Sequence, residues 1–138
     1  MGPPYMAHTR VLIDTSIVIE HLRKQNRRKS ILYRVVGAYD LFTSTIVEFE
    51  LYTGATSVPK LNDIQQILSW CTTLPFTSDA AATAALVYRN LKATNHLIEI
   101  RDILIAATAL TSGLPLMTLN TGHFGRINGL QLLPPPSP

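Results

Sequence analysis

Cysteine is nearly absent from this chain: Cys71 stands alone among 138 residues. No intramolecular disulfide can form, so stability must come from a packed core, and a reducing, cytoplasmic setting is expected. No apolar run approaches the ~20 residues of a membrane span. The opening Met1-Gly2-Pro3-Pro4-Tyr5 lacks the charged and apolar regions of a secretory signal. Residues 1–7 read as an N-terminal extension or a cloning remnant, with Met6 a candidate natural start. Charge is sparse, at 15% against 46% hydrophobic, which excludes a disordered chain and suits one compact domain. The four histidines, His8, His21, His96 and His123, show no zinc-ligand spacing with Cys71. There is no nucleophile elbow, phosphate-binding glycine loop or dinucleotide fingerprint. There is also no repeat and no internal linker.

What the chain does have is a set of carboxylates in telling places. Asp14 ends the apolar run Val11-Leu12-Ile13, and Thr15-Ser16 follow before a second apolar stretch. This reads as a buried strand passing into a helix with a carboxylate at the strand's carboxyl end, where open parallel sheets place their ligand crevice. Glu50 and Asp102 stand in comparable settings, each in an otherwise apolar helical stretch. Three carboxylates gathered at one sheet edge make a site for a hard divalent cation. Net charge is +3, from 12 bases and 9 acids. If those three acids share a cleft, the rest of the surface carries 12 bases against 6 acids and attracts polyanions. Five bases fall in Arg23-Lys24-Gln25-Asn26-Arg27-Arg28-Lys29, as a solvated helix end or as a patch for phosphate or a partner.

The patterning predicts strands near 10–14, 40–44, 74–76, 114–119 and 129–133. Between them it predicts helices near 16–23, 31–36, 45–54, 59–72, 78–93 and 101–112. Gly37 and Gly113 are C-cap candidates, and Ser78 or Asp79 caps the longest helix. Short strands alternating with helices mean an α/β fold, a three-layer α/β/α domain with a mainly parallel sheet of four to five strands. The domain is expected over 8–133, followed by a Pro-rich extended tail over 134–138.

Each acid has a structural alternative. Asp14 is either a ligand or only a helix cap. Glu48 and Glu50 lie two apart on one helix and point in nearly opposite directions, so one of them faces the Asp14 edge. Thr45-x-x-Glu48 reads as a capping box, which gives Glu48 a structural task and leaves Glu50 for the site. Asp102, in a first helical turn, favours the helix dipole in any case. Asn120 is either a turn residue or a neutral oxygen ligand. Ser16, Thr118 and Asn120 are secondary candidates. His123 lies near the expected cleft, beside Phe124, a packing anchor.

Four segments in order resemble PIN-domain proteins, specifically VapC-type ribonuclease toxins. They are Val11-Leu12-Ile13-Asp14-Thr15-Ser16-Ile17, Phe49-Glu50-Leu51-Tyr52-Thr53-Gly54-Ala55, Arg101-Asp102-Ile103-Leu104-Ile105-Ala106-Ala107-Thr108-Ala109-Leu110, and Leu116 to Ile127. The resemblance implies a Mg2+- or Mn2+-dependent endoribonuclease with Asp14, Glu50 and Asp102 as catalytic metal ligands, leaving a 5′-phosphate and a 3′-hydroxyl. It implies an RNA substrate of the transfer or ribosomal class, a cognate antitoxin, and a homodimer or larger toxin–antitoxin assembly. Many relatives carry a fourth acid in the last segment; here Asn120 and His123 stand there instead. Two other readings stay open. One is a catalytically incomplete PIN-like module that binds RNA or a partner. The other is a phosphotransfer domain with Asp14 as nucleophile, as in haloacid dehalogenase-like phosphatases.

Overall fold

A computed structural model of the chain describes residues 8–137. The expectations for residues 1–7 and for Pro138 lie outside the described residues. Strand β1 (Thr9–Ile13) is the centre of a four-stranded, all-parallel sheet. It is flanked by β2 (Tyr39–Ser44) and β4 (Leu116–Met117), and β3 (Thr72–Leu74) lies outside β2. Val11, Leu12 and Ile13 have no exposed surface. A strand buried on both faces needs a continuous apolar run rather than alternation, and this triplet supplies one.

Helices make every crossover, as parallel pairing requires. α1 (Thr15–Arg23), a 3-10 turn (Arg27–Lys29) and α2 (Ile31–Val35) join β1 to β2. α3 (Thr45–Thr53) and α4 (Val58–Ser69) join β2 to β3. α5 (Ser78–Ala93) and α6 (Ile100–Ser112) join β3 to β4, and α7 (Thr121–Phe124) follows. The result is the three-layer α/β/α arrangement, with Ile17, Leu32, Val47, Ile67, Ile103 and Phe124 among the buried side chains that fill it.

The strand order β3-β2-β1-β4 sets the location of the site. From β1 the chain steps outward through β2 and β3, then returns to pair β4 with the opposite side of β1. The direction of winding therefore changes between β1 and β4. At such a switch point a crevice opens beyond the carboxyl ends of the two strands. Asp14 follows β1 there, and Thr118 to Asn120 follow β4. The 13 residues of α6 run back along the sheet for roughly 20 Å. Gly113, in the left-handed region at φ +66°, then turns the chain into β4. The N-terminus of α6, with Asp102, consequently lies at that same edge.

Several local expectations are corrected. The N-cap of α3 is Ser44, whose hydroxyl accepts from the Val47 N–H; Thr45 is already inside the helix and accepts from the Phe76 N–H instead. The capping box of Thr45 and Glu48 does not form. Thr77 caps α5 by accepting from the Ala80 N–H, in place of Ser78 or Asp79. β3 ends before Pro75, because proline has no N–H to give to the ladder. The expected strand 129–133 shrinks to an isolated bridge between Leu132 and Leu116. Residues 134–137 form no helix or strand.

Candidate active site

Asp14 is 4% exposed and both its oxygens are engaged. The Ser16 hydroxyl donates to Oδ1 at 2.6 Å and the Thr118 hydroxyl donates to Oδ2 at 2.7 Å. Those hydroxyls are themselves oriented by backbone. Ser16 Oγ accepts from the Leu119 N–H at 2.9 Å, and Thr118 Oγ1 accepts from the Asn120 N–H at 2.9 Å. With its oxygen so occupied, each hydroxyl has its proton free for the carboxylate, an arrangement in which successive bonds polarise one another. Asp14 holds the N-cap position of α1, yet its carboxylate makes no capping hydrogen bond. The Ile17 N–H falls outside hydrogen-bond geometry and only helps to stabilise the charge.

Burial pushes the Asp14 carboxyl above its ordinary range. The hydroxyls and the Ile17 N–H oppose that shift, and the nearby charge of Asp102 adds to it. The two acids are linked through the segment after β4, where Thr118 bonds Asp14 and Asn120 reaches from Thr118 to Asp102. Asp102 Oδ2 lies 3.0 Å from His123 Nδ1 and 3.4 Å from Asn120 Nδ2. Asn120 and His123 also meet each other at 2.8 Å. One turn of α7 brings these two residues together, and their spacing of three is a signal by which the sequence could have tied His123 to Asn120.

Glu50 reaches the site from α3. Its Oε1 accepts from the Thr15 hydroxyl at 2.9 Å, and its Oε2 accepts from Arg101 at 3.0 Å. Thr15 adjoins Asp14 and Arg101 adjoins Asp102, so Glu50 is tied to both neighbours of the other acids. Neither Thr15 nor Arg101 stands out as a site residue in the sequence. Glu48, two positions earlier, is not hydrogen-bonded to any of these groups. Cys71 takes no part: burial pushes its thiol up to about 11, which keeps it protonated and poorly nucleophilic.

The donor set is all oxygen and carries repelling like charges, which suits a hard divalent cation such as Mg2+ or Mn2+. Among the described residues, however, no three Asp, Glu, His or Cys side chains are gathered closely enough to hold an ion as they stand. Beside the acids runs a groove of about 510 Å3 between α1, α3 and α4. Arg23, Arg27 and Lys60 line it and Glu50 stands within it. Arg27 is paired with Asp63 at 3.0 Å, and Lys24 with Glu20 at 3.6 Å, so part of the basic segment is neutralised locally.

The sequence model for the PIN domain matches residues 11–130. The chain belongs to the PIN-domain family. Among curated relatives of this PIN domain is Ribonuclease VapC of Rickettsia bellii, 34% identical over 134 residues, which span 91% of this chain and 96% of that protein. Among solved structures, FitAcB from Neisseria gonorrhoeae superposes with a TM-score of 0.74 at 28% identity, over 89% of this chain and 96% of the other. A toxin–antitoxin complex from Klebsiella pneumoniae superposes with a TM-score of 0.70 at 24% identity, over 87% and 94%, a likeness of fold. Family membership sets aside the dehalogenase-like reading of Asp14. No helix among the described residues is long and apolar enough to cross a membrane.

Proposed function

We propose that this PIN domain is a divalent-cation-dependent endoribonuclease, the toxin of a toxin–antitoxin pair, with Asp14, Glu50 and Asp102 as its metal ligands. The observation that carries the reading is the hydrogen-bonded segment after β4 at the crevice where the sheet reverses its winding. Thr118 donates to Asp14, Asn120 donates its backbone N–H to Thr118 and its side-chain amide to Asp102, and Glu50 is fastened beside them by Thr15 and Arg101. The ribonuclease name of a relative that matches nearly end to end supports the reaction class. Arg23 and Lys60 in the groove, whose Arg27 is paired with Asp63, support a polyanionic substrate, and the family resemblance implies one of the transfer or ribosomal RNA class. The resemblance to VapC-type toxins implies a cognate antitoxin and a second copy of the chain as partners, and a toxin–antitoxin complex among the structural neighbours supports the first.

Asp14, Glu50 and Asp102 would hold Mg2+ or Mn2+, which would supply Lewis-acid polarisation of a phosphoryl oxygen and activation of water near neutral pH. The chain's own residues prepare the place for it. Ser16 and Thr118 fix the direction of the Asp14 carboxylate, and each of its oxygens keeps lone-pair capacity beyond the bond it accepts. Thr15 fixes one oxygen of Glu50. Asn120 and His123 fix Asp102. Asn120 offers an amide where many relatives carry a fourth acid, which motivates the rival reading of an incomplete site that only binds.

One variant series decides between them. Asp14→Asn keeps size and shape but removes the charge. As a ligand replacement it should cut Mg2+- or Mn2+-dependent RNA cleavage by orders of magnitude while circular dichroism shows an intact fold, and cells should tolerate it without antitoxin. Glu50→Gln should be inactive and Glu48→Gln active. A wild-type protein that binds RNA but never cleaves it with either cation establishes the rival. Full activity in a folded Asp14→Asn protein removes the metal-nuclease assignment.

A further inference from the structure

Arg101 bridges two acids of different kinds. One of its terminal nitrogens donates to Glu50 at 3.0 Å and the other donates to Glu99 at 2.9 Å. Glu50 is largely covered, with 15% of its side chain exposed, whereas Arg101 and Glu99 are 51% and 61% exposed. The guanidinium thus spans from the inner carboxylate to the solvent rim. It also engages the Glu50 oxygen that the Thr15 hydroxyl leaves free.

Resting on the metal-nuclease reading above, we propose that Arg101 is an exchangeable counter-ion of the site: a divalent cation displaces it from Glu50, and the released guanidinium contacts a phosphate of the RNA. Two observations and one electrostatic argument carry this. First, a half-exposed ion pair is weak, so its loss is a small obstacle to a dication that attracts the same carboxylate. Second, a dication beside Asp14 and Glu50 repels a guanidinium that shares Glu50, so both do not keep that carboxylate at full strength. Third, the Glu99 contact uses the other terminal nitrogen and does not depend on Glu50, so the guanidinium has a neighbour at the mouth of the crevice when Glu50 lets go. This more exposed pair is itself weak enough to yield to a phosphate. A guanidinium there presents a planar fork of donors, the geometry that suits a phosphate.

The test uses the full chain and its Arg101→Gln and Arg101→Lys variants. Mn2+ binding without RNA is read by electron paramagnetic resonance of the free ion. Arg101→Gln should bind Mn2+ about two- to fivefold more tightly than wild type, the range an exposed pair spans. At saturating Mn2+, its KM for RNA should rise more than its kcat falls. The slope of log(kcat/KM) against log salt should flatten by about 0.7, the loss of one single-strand phosphate contact. Arg101→Lys keeps the charge and should keep most of the slope. Unchanged or weaker Mn2+ binding by a folded Arg101→Gln protein overturns the proposal, as does an unchanged salt slope. Absence of Mn2+ binding by wild type would instead remove the metal-nuclease reading itself.

Discussion

The hydroxyls of Ser16 and Thr118 are short groups with one proton each, and backbone geometry decides where that proton goes. Both accept a backbone N–H from the segment after β4, so both must donate to Asp14. Asp14 itself was legible from its place after an apolar strand. Its partners were not, because Thr118 is 104 positions away and only the fold brings it close. Buried His21 is a second residue whose surroundings fix its protonation. Its Nδ1 lies 2.7 Å from Ser30 Oγ, and its ring packs edge-on against Trp70. Burial, and secondarily Arg27, lowers its pKa below the usual histidine value, against weaker raising effects from Glu20 and Asp63. Because the folded value is the lower one, the unfolded chain takes up protons first as pH falls. The stability that His21 contributes is therefore complete above about pH 6.5 and declines as pH drops below it. Urea unfolding midpoints measured from pH 7.5 to 5 should fall for wild type more than for His21→Gln. Equal slopes for the two proteins would place the pH dependence elsewhere.

Among the elements, helices were easier to read than their first residues. The sixteen-residue α5 announces itself by its alanines, yet Thr77, Ser78 and Asp79 can each cap, and only the backbone selects Thr77. Thr77→Ala should cost about 1 kcal/mol in chemical unfolding, whereas Ser78→Ala, which touches no cap bond, should stay within about 0.5 kcal/mol. A reversed order would restore Ser78 as the cap. The start of α3 at Thr45 was read correctly, but the same ambiguity put its cap on Thr45 instead of Ser44 and produced the false capping box at Glu48. The choice of Glu50 over Glu48 rested on helical direction as well, and the contacts from Thr15 and Arg101 fall on Glu50. Strand lengths were overread at the carboxyl end of the chain. The stretch 114–119 suggested a full strand, but only Leu116 and Met117 pair with β1, opposite Leu12 and Ile13, and Thr118 and Leu119 turn instead to the site.

For the whole molecule, alternation of strands and helices made the layered parallel sheet legible, but not the order of its strands. No residue pattern says that β4 should pair with β1 rather than extend the β3 edge. That choice creates the reversal of winding and with it the crevice. The acids come from three parts of the chain, after β1, within α3 and at the start of α6, and the topology is what gives them a common edge. The tie from Leu119 back to Ser16 spans 103 positions and fastens the segment after β4 to the start of α1. Leu119 is 48% exposed, so its amide hydrogen would ordinarily trade with solvent at once. Held by Ser16, it should instead exchange slowly in deuterated water, together with the Asn120 amide held by Thr118. Two amide resonances from an exposed loop thereby become a clock for the opening of the crevice, and Ser16→Ala should speed up the Leu119 amide first.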